Sequence, residues 1–106
     1  MCLVIGCRGP EGRVLGKTPV GNPRPVNLVQ GGESPAQVVL EGAMVEKCPV
    51  AGCWFRLEDG TGTIKVDTKA AGFVVSAIPV GAKLTVGGKV AWEGSEPVIQ
   101  ASGLRY

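Results

Sequence analysis

A chain of 106 residues is long enough for one domain plus a tail, and with 44% apolar and 19% charged residues it has a globular composition. Its 17 glycines, few aromatics and β-branched runs favour an all-β fold with many turns, and no apolar run reaches the length of about 18 residues that a membrane-crossing helix needs. The net charge of +2 sits in residues 1–35; residues 36–106 hold seven basic and seven acidic side chains, so the globular part lacks the basic excess of a strong, sequence-independent nucleic-acid binder.

At the start of the chain, Val4-Ile5-Gly6-Cys7 resembles the end of a bacterial lipoprotein signal, whose cleavage leaves a lipidated cysteine. Valine and isoleucine replace the usual leucine and small residue, and no basic start precedes them. If the motif holds, Cys7 is the lipidation site and the membrane is reached only through that anchor. Otherwise Met1–Cys7 is an ordinary apolar N-terminus, or a strand packed on the barrel.

Residues 8–35 carry eleven glycines and prolines, a density that sustains neither a helix nor a central strand. The segment 1–35 is expected to be a Pro/Gly-rich tail or tether. The competing expectation is a short added strand around Val26–Val29 lying on the domain.

From residue 36 the pattern sharpens. Gln37–Lys47 alternates with Val38, Leu40 and Met44 on one parity, and Gly42 marks a bulge or tight bend. Cys53–Glu58 places Cys53, Phe55 and Leu57 on one face and Trp54 and Arg56 on the other. Asp59-Gly60-Thr61-Gly62 supplies a hairpin turn. Thr63–Asp67 follows, with Ile64 and Val66 inward and Lys65 outward. Residues 68–79 have helical spacing at Phe73, Val74, Ala77 and Ile78, weakened by Gly72 and Val74-Val75, and predict a short helix ending before Pro79. Lys83–Glu93 is a long strand broken at Gly87-Gly88, with Trp92 expected in the core or at the barrel mouth. Val98–Ser102 is the last strand.

Five strands, the first bent and the fourth broken by glycine, are what rolling so small a sheet into a barrel requires. The runs Val38-x-Leu40-x-Gly42, Phe55-x-Leu57-x-Asp59-Gly60-Thr61-Gly62-x-Ile64-x-Val66 and Gly81-x-x-Leu84-x-Val86-x-Gly88 resemble an OB-fold. The predicted fold is therefore an all-β, five-stranded Greek-key OB-fold barrel over 36–106, with an optional short helix between strands three and four. The step Gly52-Cys53-Trp54 entering strand two is similar to small bacterial envelope OB-fold proteins, periplasmic or lipoprotein. That resemblance implies an exported protein, in the periplasm or on the outer surface of the bacterial membrane, and supplies no known reaction; without export the protein is expected in the cytoplasm.

Cys48 and Cys53 flank the loop between strands one and two, and three readings stay open. They form a disulfide across the loop; they are plain thiols, with Cys53 a small buried residue; or they join Cys2 and Cys7, which repeat the same spacing, in a metal site. No metal or other cofactor is assigned.

Trp54, Arg56 and Lys65 share the outer parity of strands two and three, the surface on which OB-folds receive single-stranded nucleic acid by stacking and phosphate contact. These three are the candidate ligand-binding residues. The bland alternative makes Trp54 a cover for the barrel and pairs Arg56 and Lys65 with Glu58 and Asp67 across the strands. Catalysis has little to stand on: the chain has no histidine, and Gly60-Thr61-Gly62 and Gly87-Gly88 are not phosphate loops. The expectation is a non-enzymatic binding module for oligonucleotide-type ligands. Its alternative is a protein-interaction or structural module of the bacterial cell envelope, with a Cys48–Cys53 disulfide and no nucleic-acid role.

Overall fold

The structure, a computed structural model, describes residues 13–106. The lipidation motif at Cys7 and the cysteine Cys2 lie outside the described residues. Six strands and one short helix follow in the order β1 (Val14–Gly16), α1 (Val26–Gln30), β2 (Gln37–Lys47), β3 (Trp54–Glu58), β4 (Thr63–Asp67), β5 (Lys83–Glu93) and β6 (Glu96–Arg105).

The five long strands close on themselves. β2 pairs with β3, β3 with β4, β4 in parallel with β6, β6 with β5, and β5 back with β2. This is the Greek-key OB-fold barrel that the alternation predicted. Gly42 bends β2 at the point where it changes partners: residues 37–43 lie against β5, and Ala43 begins the ladder with β3. A Cβ at Gly42 would stand 2.4 Å from the Glu58 carbonyl oxygen, so only glycine permits the two strands to approach there. Register shifts follow between Met44 and Glu46, in β2 against β3, and between Gly87 and Gly88, in β5 against β6.

Inward parity fills the tube. Leu40, Met44, Phe55, Leu57, Val66, Val86, Ile99 and Leu104 are fully buried, with Ile64 and Leu84 nearly so. Each end of β4 is covered by a different plug. Beyond Asp67, the loop of residues 68–82 sends Val75 and Ile78 into the core. The optional helix does not form there; the segment is a run of turns. Gly72 takes φ +82°, and the amides of Thr68, Val75 and Gly81 go to partners outside the loop, as when Val75 N–H donates to Gly52 C=O at 2.8 Å. Both features break a helical ladder.

The other plug comes from the segment whose breaker density predicted a tail. β1 pairs antiparallel with the end of β6, Lys17 N–H donates to Ser102 C=O, and Arg24 N–H donates to Val39 C=O. Val26 and Val29, three residues apart, bury one face of α1 in the core. The chain packs on the barrel at Val26–Val29, as the competing expectation had it, but as a helical turn rather than a strand. Pro25, with φ −63°, sets the entry into that turn.

The cap of α1 is supplied in trans. Pro25 offers no side-chain oxygen, and the N–H groups of Val26 and Asn27 are instead received by Asp59 Oδ2 at 2.9 Å and Thr61 Oγ1 at 3.1 Å. Gln30 Nε2 adds a bond to the Thr63 carbonyl at 2.7 Å. The Asp-Gly-Thr-Gly turn therefore reverses the chain and also docks the N-terminal plug.

Candidate functional site

β3 and β4 are in register as Trp54 with Asp67, Phe55 with Val66, Arg56 with Lys65 and Leu57 with Ile64. Because side chains alternate, burying Phe55, Leu57, Ile64 and Val66 sends Trp54, Arg56 and Lys65 to the outside together. The three sequence-predicted residues do meet. The Lys65 Nζ stands 5.6 Å from the centre of the Trp54 ring, and the Arg56 guanidinium carbon 6.0 Å from it. Such cation–π contacts contribute about 0.5–1 kcal/mol at exposed sites.

Arg56 faces Lys65 directly, a like-charge cross-strand pair that is unfavourable by itself. Three carboxylates offset it. Arg56 reaches Glu46 on β2 at 3.5 Å and Glu96 on β6 at 3.4 Å; Lys65 reaches Glu93 on β5 at 3.4 Å. Glu93 and Glu96 sit opposite each other at the turn end of the β5–β6 hairpin, so that hairpin is clasped onto the β3–β4 face. The partners foreseen from cross-strand logic, Glu58 and Asp67, are engaged elsewhere. Glu58 accepts the Gly60 N–H, and Asp67 accepts the backbone N–H and side chain of Lys69. Glu93 and Glu96 come from strands distant in sequence, which local spacing does not reveal, and Glu46 comes to lie opposite Arg56 on the preceding strand through a register shift between Met44 and Glu46.

Trp92 departs from expectation. It is 53% exposed on the outer end of β5, beyond the register shift, not in the core.

The β2–β3 loop borders the same face. Cys48 N–H donates to Trp54 C=O at 3.0 Å, and Cys48 C=O accepts Gly52 N–H at 3.2 Å, which folds residues 48–52 into a single turn. Cys48 and Cys53 are both free, half-exposed thiols in this structure. The N–H groups of Ala51 and Val50, helped by those of Gly52 and Cys53, outweigh the small desolvation of Cys48 and lower its pKa to about 7. Among the described residues no three His, Cys, Asp or Glu side chains cluster in a way that would hold a metal ion.

A cleft of about 690 Å³ opens elsewhere, at the Gly42 bend, lined by Glu41, Glu58, Asp59, Lys83, Arg105 and Tyr106 among others. None of the residues singled out as ligand-binding lines it.

No protein-family model and no curated protein matches the chain. Among solved structures it is similar to the hypothetical protein ygiW from E. coli, with a TM-score of 0.62 and 21% identity over 83% of this chain and 92% of that one. The likeness shows a shared fold: an OB-type barrel of the kind found in that bacterial protein.

Proposed function

We propose that this chain is a binding module of the bacterial cell envelope whose β3–β4 face, centred on Trp54, engages a protein partner and performs no catalysis. The observation that carries the reading is the charge balance of that face. Its two cations already stand against the three carboxylates of Glu46, Glu93 and Glu96. A phosphate backbone approaching Trp54 would meet a net negative rim, whereas counterion release, the main source of affinity for nucleic acid, needs unpaired cations. A peptide surface of mixed charge exchanges such pairs one for one and covers the indole.

Single-stranded nucleic acid is the second reading. It is favoured by one specific arrangement, an indole flanked by a lysine and an arginine on the strand pair that OB-folds use for stacking. In-cell photo-crosslinking from position 56, with Arg56→p-benzoylphenylalanine, separates the two. A nuclease-resistant, protease-sensitive adduct is expected. A nuclease-sensitive adduct transfers the assignment to nucleic acid, and adducts from other faces but not from this one remove the face from consideration.

The envelope location rests on the Gly6-Cys7 and Gly52-Cys53-Trp54 resemblances. It predicts that the chain, expressed from its natural locus, incorporates labelled palmitate and that Cys7→Ser abolishes the incorporation.

A further inference from the structure

The β2–β3 loop has a construction that the binding face does not require. Its turn is clamped from beneath by residues 68–76. Gly52 C=O accepts Val75 N–H at 2.8 Å, and Cys53 C=O accepts both the N–H and the hydroxyl of buried Thr68, each at 2.9 Å. Gly52 adopts φ +65°, and a Cβ there would lie 2.7 Å from Ser76 N, so the loop sits directly on that backbone. The two cysteines flank this hydrogen-bonded turn, and both residues are partly exposed.

We propose that Cys48 and Cys53 form a redox-active dithiol that exchanges with an external disulfide, Cys48 attacking and Cys53 resolving. The N–H groups of Ala51 and Val50, with lesser help from Gly52 and Cys53, favour the Cys48 thiolate. The charged neighbours are otherwise occupied. Lys47 donates to the carbonyls of Ser76 and Ile78, and Lys69 is paired with Asp67 at 2.8 Å. The activation of Cys48 therefore comes from backbone dipoles, as in other anion-receiving turns. A thiol that titrates near ambient pH combines thiolate population with nucleophilicity, which makes it the better attacking partner in exchange.

The step balances without a further reagent. The Cys48 thiolate attacks one sulfur of R–S–S–R; that S–S bond breaks, and RS⁻ leaves and takes a proton. Cys53 releases its proton to water and attacks the Cys48 sulfur, breaking the mixed disulfide and expelling the second thiol. Two protein thiols are oxidised to one disulfide, and the external disulfide is reduced to two thiols.

Trypsin cuts after Lys47 and Arg56, so one peptide, Cys48–Arg56, carries both cysteines and separates them from Cys2 and Cys7. In the full native chain, iodoacetamide is expected to modify Cys48 severalfold faster than Cys53 at pH 7, with the Cys48 rate rising through a midpoint near 7. Incubation with glutathione disulfide is expected to close a disulfide within that peptide. Cys53→Ser is expected to retain glutathione on Cys48. Equal alkylation rates, a Cys48 midpoint well above 8, or glutathione persisting on Cys48 of the native chain would each overturn the proposal. The alkylation profile needs no variant, so it decides even if Cys53→Ser folds poorly.

Discussion

Asp59 shows how much one side chain can carry in a barrel this small. Partial burial pushes its pKa up, but bonds from the Thr61 hydroxyl and from the N–H groups of Val26, Thr61 and Gly62 outweigh that, and the net shift is downward. A carboxylate with a folded-state pKa below its unfolded value of about 3.9 stabilises the fold above that value, and the contribution disappears as pH falls through the folded pKa. Thermal melts between pH 7 and pH 2 should therefore show stability falling in the acid limb, with a shallower fall in Asp59→Asn. At neutral pH, Asp59→Ala removes the trans cap of α1 and is expected to cost about 1 kcal/mol in urea unfolding, the usual loss of a helix cap. Gly52→Ala is expected to cost about 1–3 kcal/mol, because the residue must hold a positive φ while its Cβ meets Ser76. The hairpin role of Asp59 is visible in the Asp-Gly-Thr-Gly string. Its capping role is not, since its partner amide lies 33 residues away.

At the scale of elements, the β5–β6 hairpin decides what the outer face can hold. Glu93 and Glu96 each lie in an exposed ion pair, and such pairs contribute only about 0–1 kcal/mol to stability. The double variant Glu93→Gln/Glu96→Gln should therefore melt within a few degrees of the native chain while leaving Arg56 and Lys65 with fewer opposing charges. Tryptophan fluorescence titrations with oligothymidylate at low salt are expected to show binding by this variant that weakens with added salt, and little by the native chain. Tight, salt-sensitive binding by the native chain, lost in Trp54→Ala, would instead favour the nucleic-acid reading. The strands themselves were legible because each alternates with period two and Gly42 sits where β2 changes partners. The helix expected at 68–79 failed because four apolar residues at helical spacing do not outweigh a positive-φ glycine and amides committed to the β2–β3 loop. Val75, outside that helical set, is one of the two that became the plug.

Over the whole molecule, one end of the barrel is covered by residues that composition alone assigned to a tail. Proline and glycine density is a sound argument against a long helix or a central strand, and neither occurs in residues 13–35. It is silent about a one-turn helix and a three-residue edge strand, which need only two buried valines and a free strand edge. Deleting residues 1–30 is expected to lower the urea midpoint substantially, because Val26 and Val29 leave the core uncovered; at about 0.8 kcal/mol per buried methylene their loss alone reaches several kcal/mol. An unchanged midpoint would show that the segment is dispensable. The candidate face was legible as a set of outward residues, Trp54, Arg56 and Lys65. Its electrostatic state was not, because Glu46, Glu93 and Glu96 arrive from three other strands.

β1 joins β6 through the reciprocal bonds of Arg13 and Tyr106 and continues antiparallel, Val14 to Arg105 and Leu15 to Leu104. The way in and the way out of the described chain thus share one spot. A tug on the segment before Arg13 loads these contacts one after another, as a zipper is opened, rather than all at once. Single-molecule pulling from that end should release the short ribbon at low force, like a mechanical fuse, before the barrel itself yields.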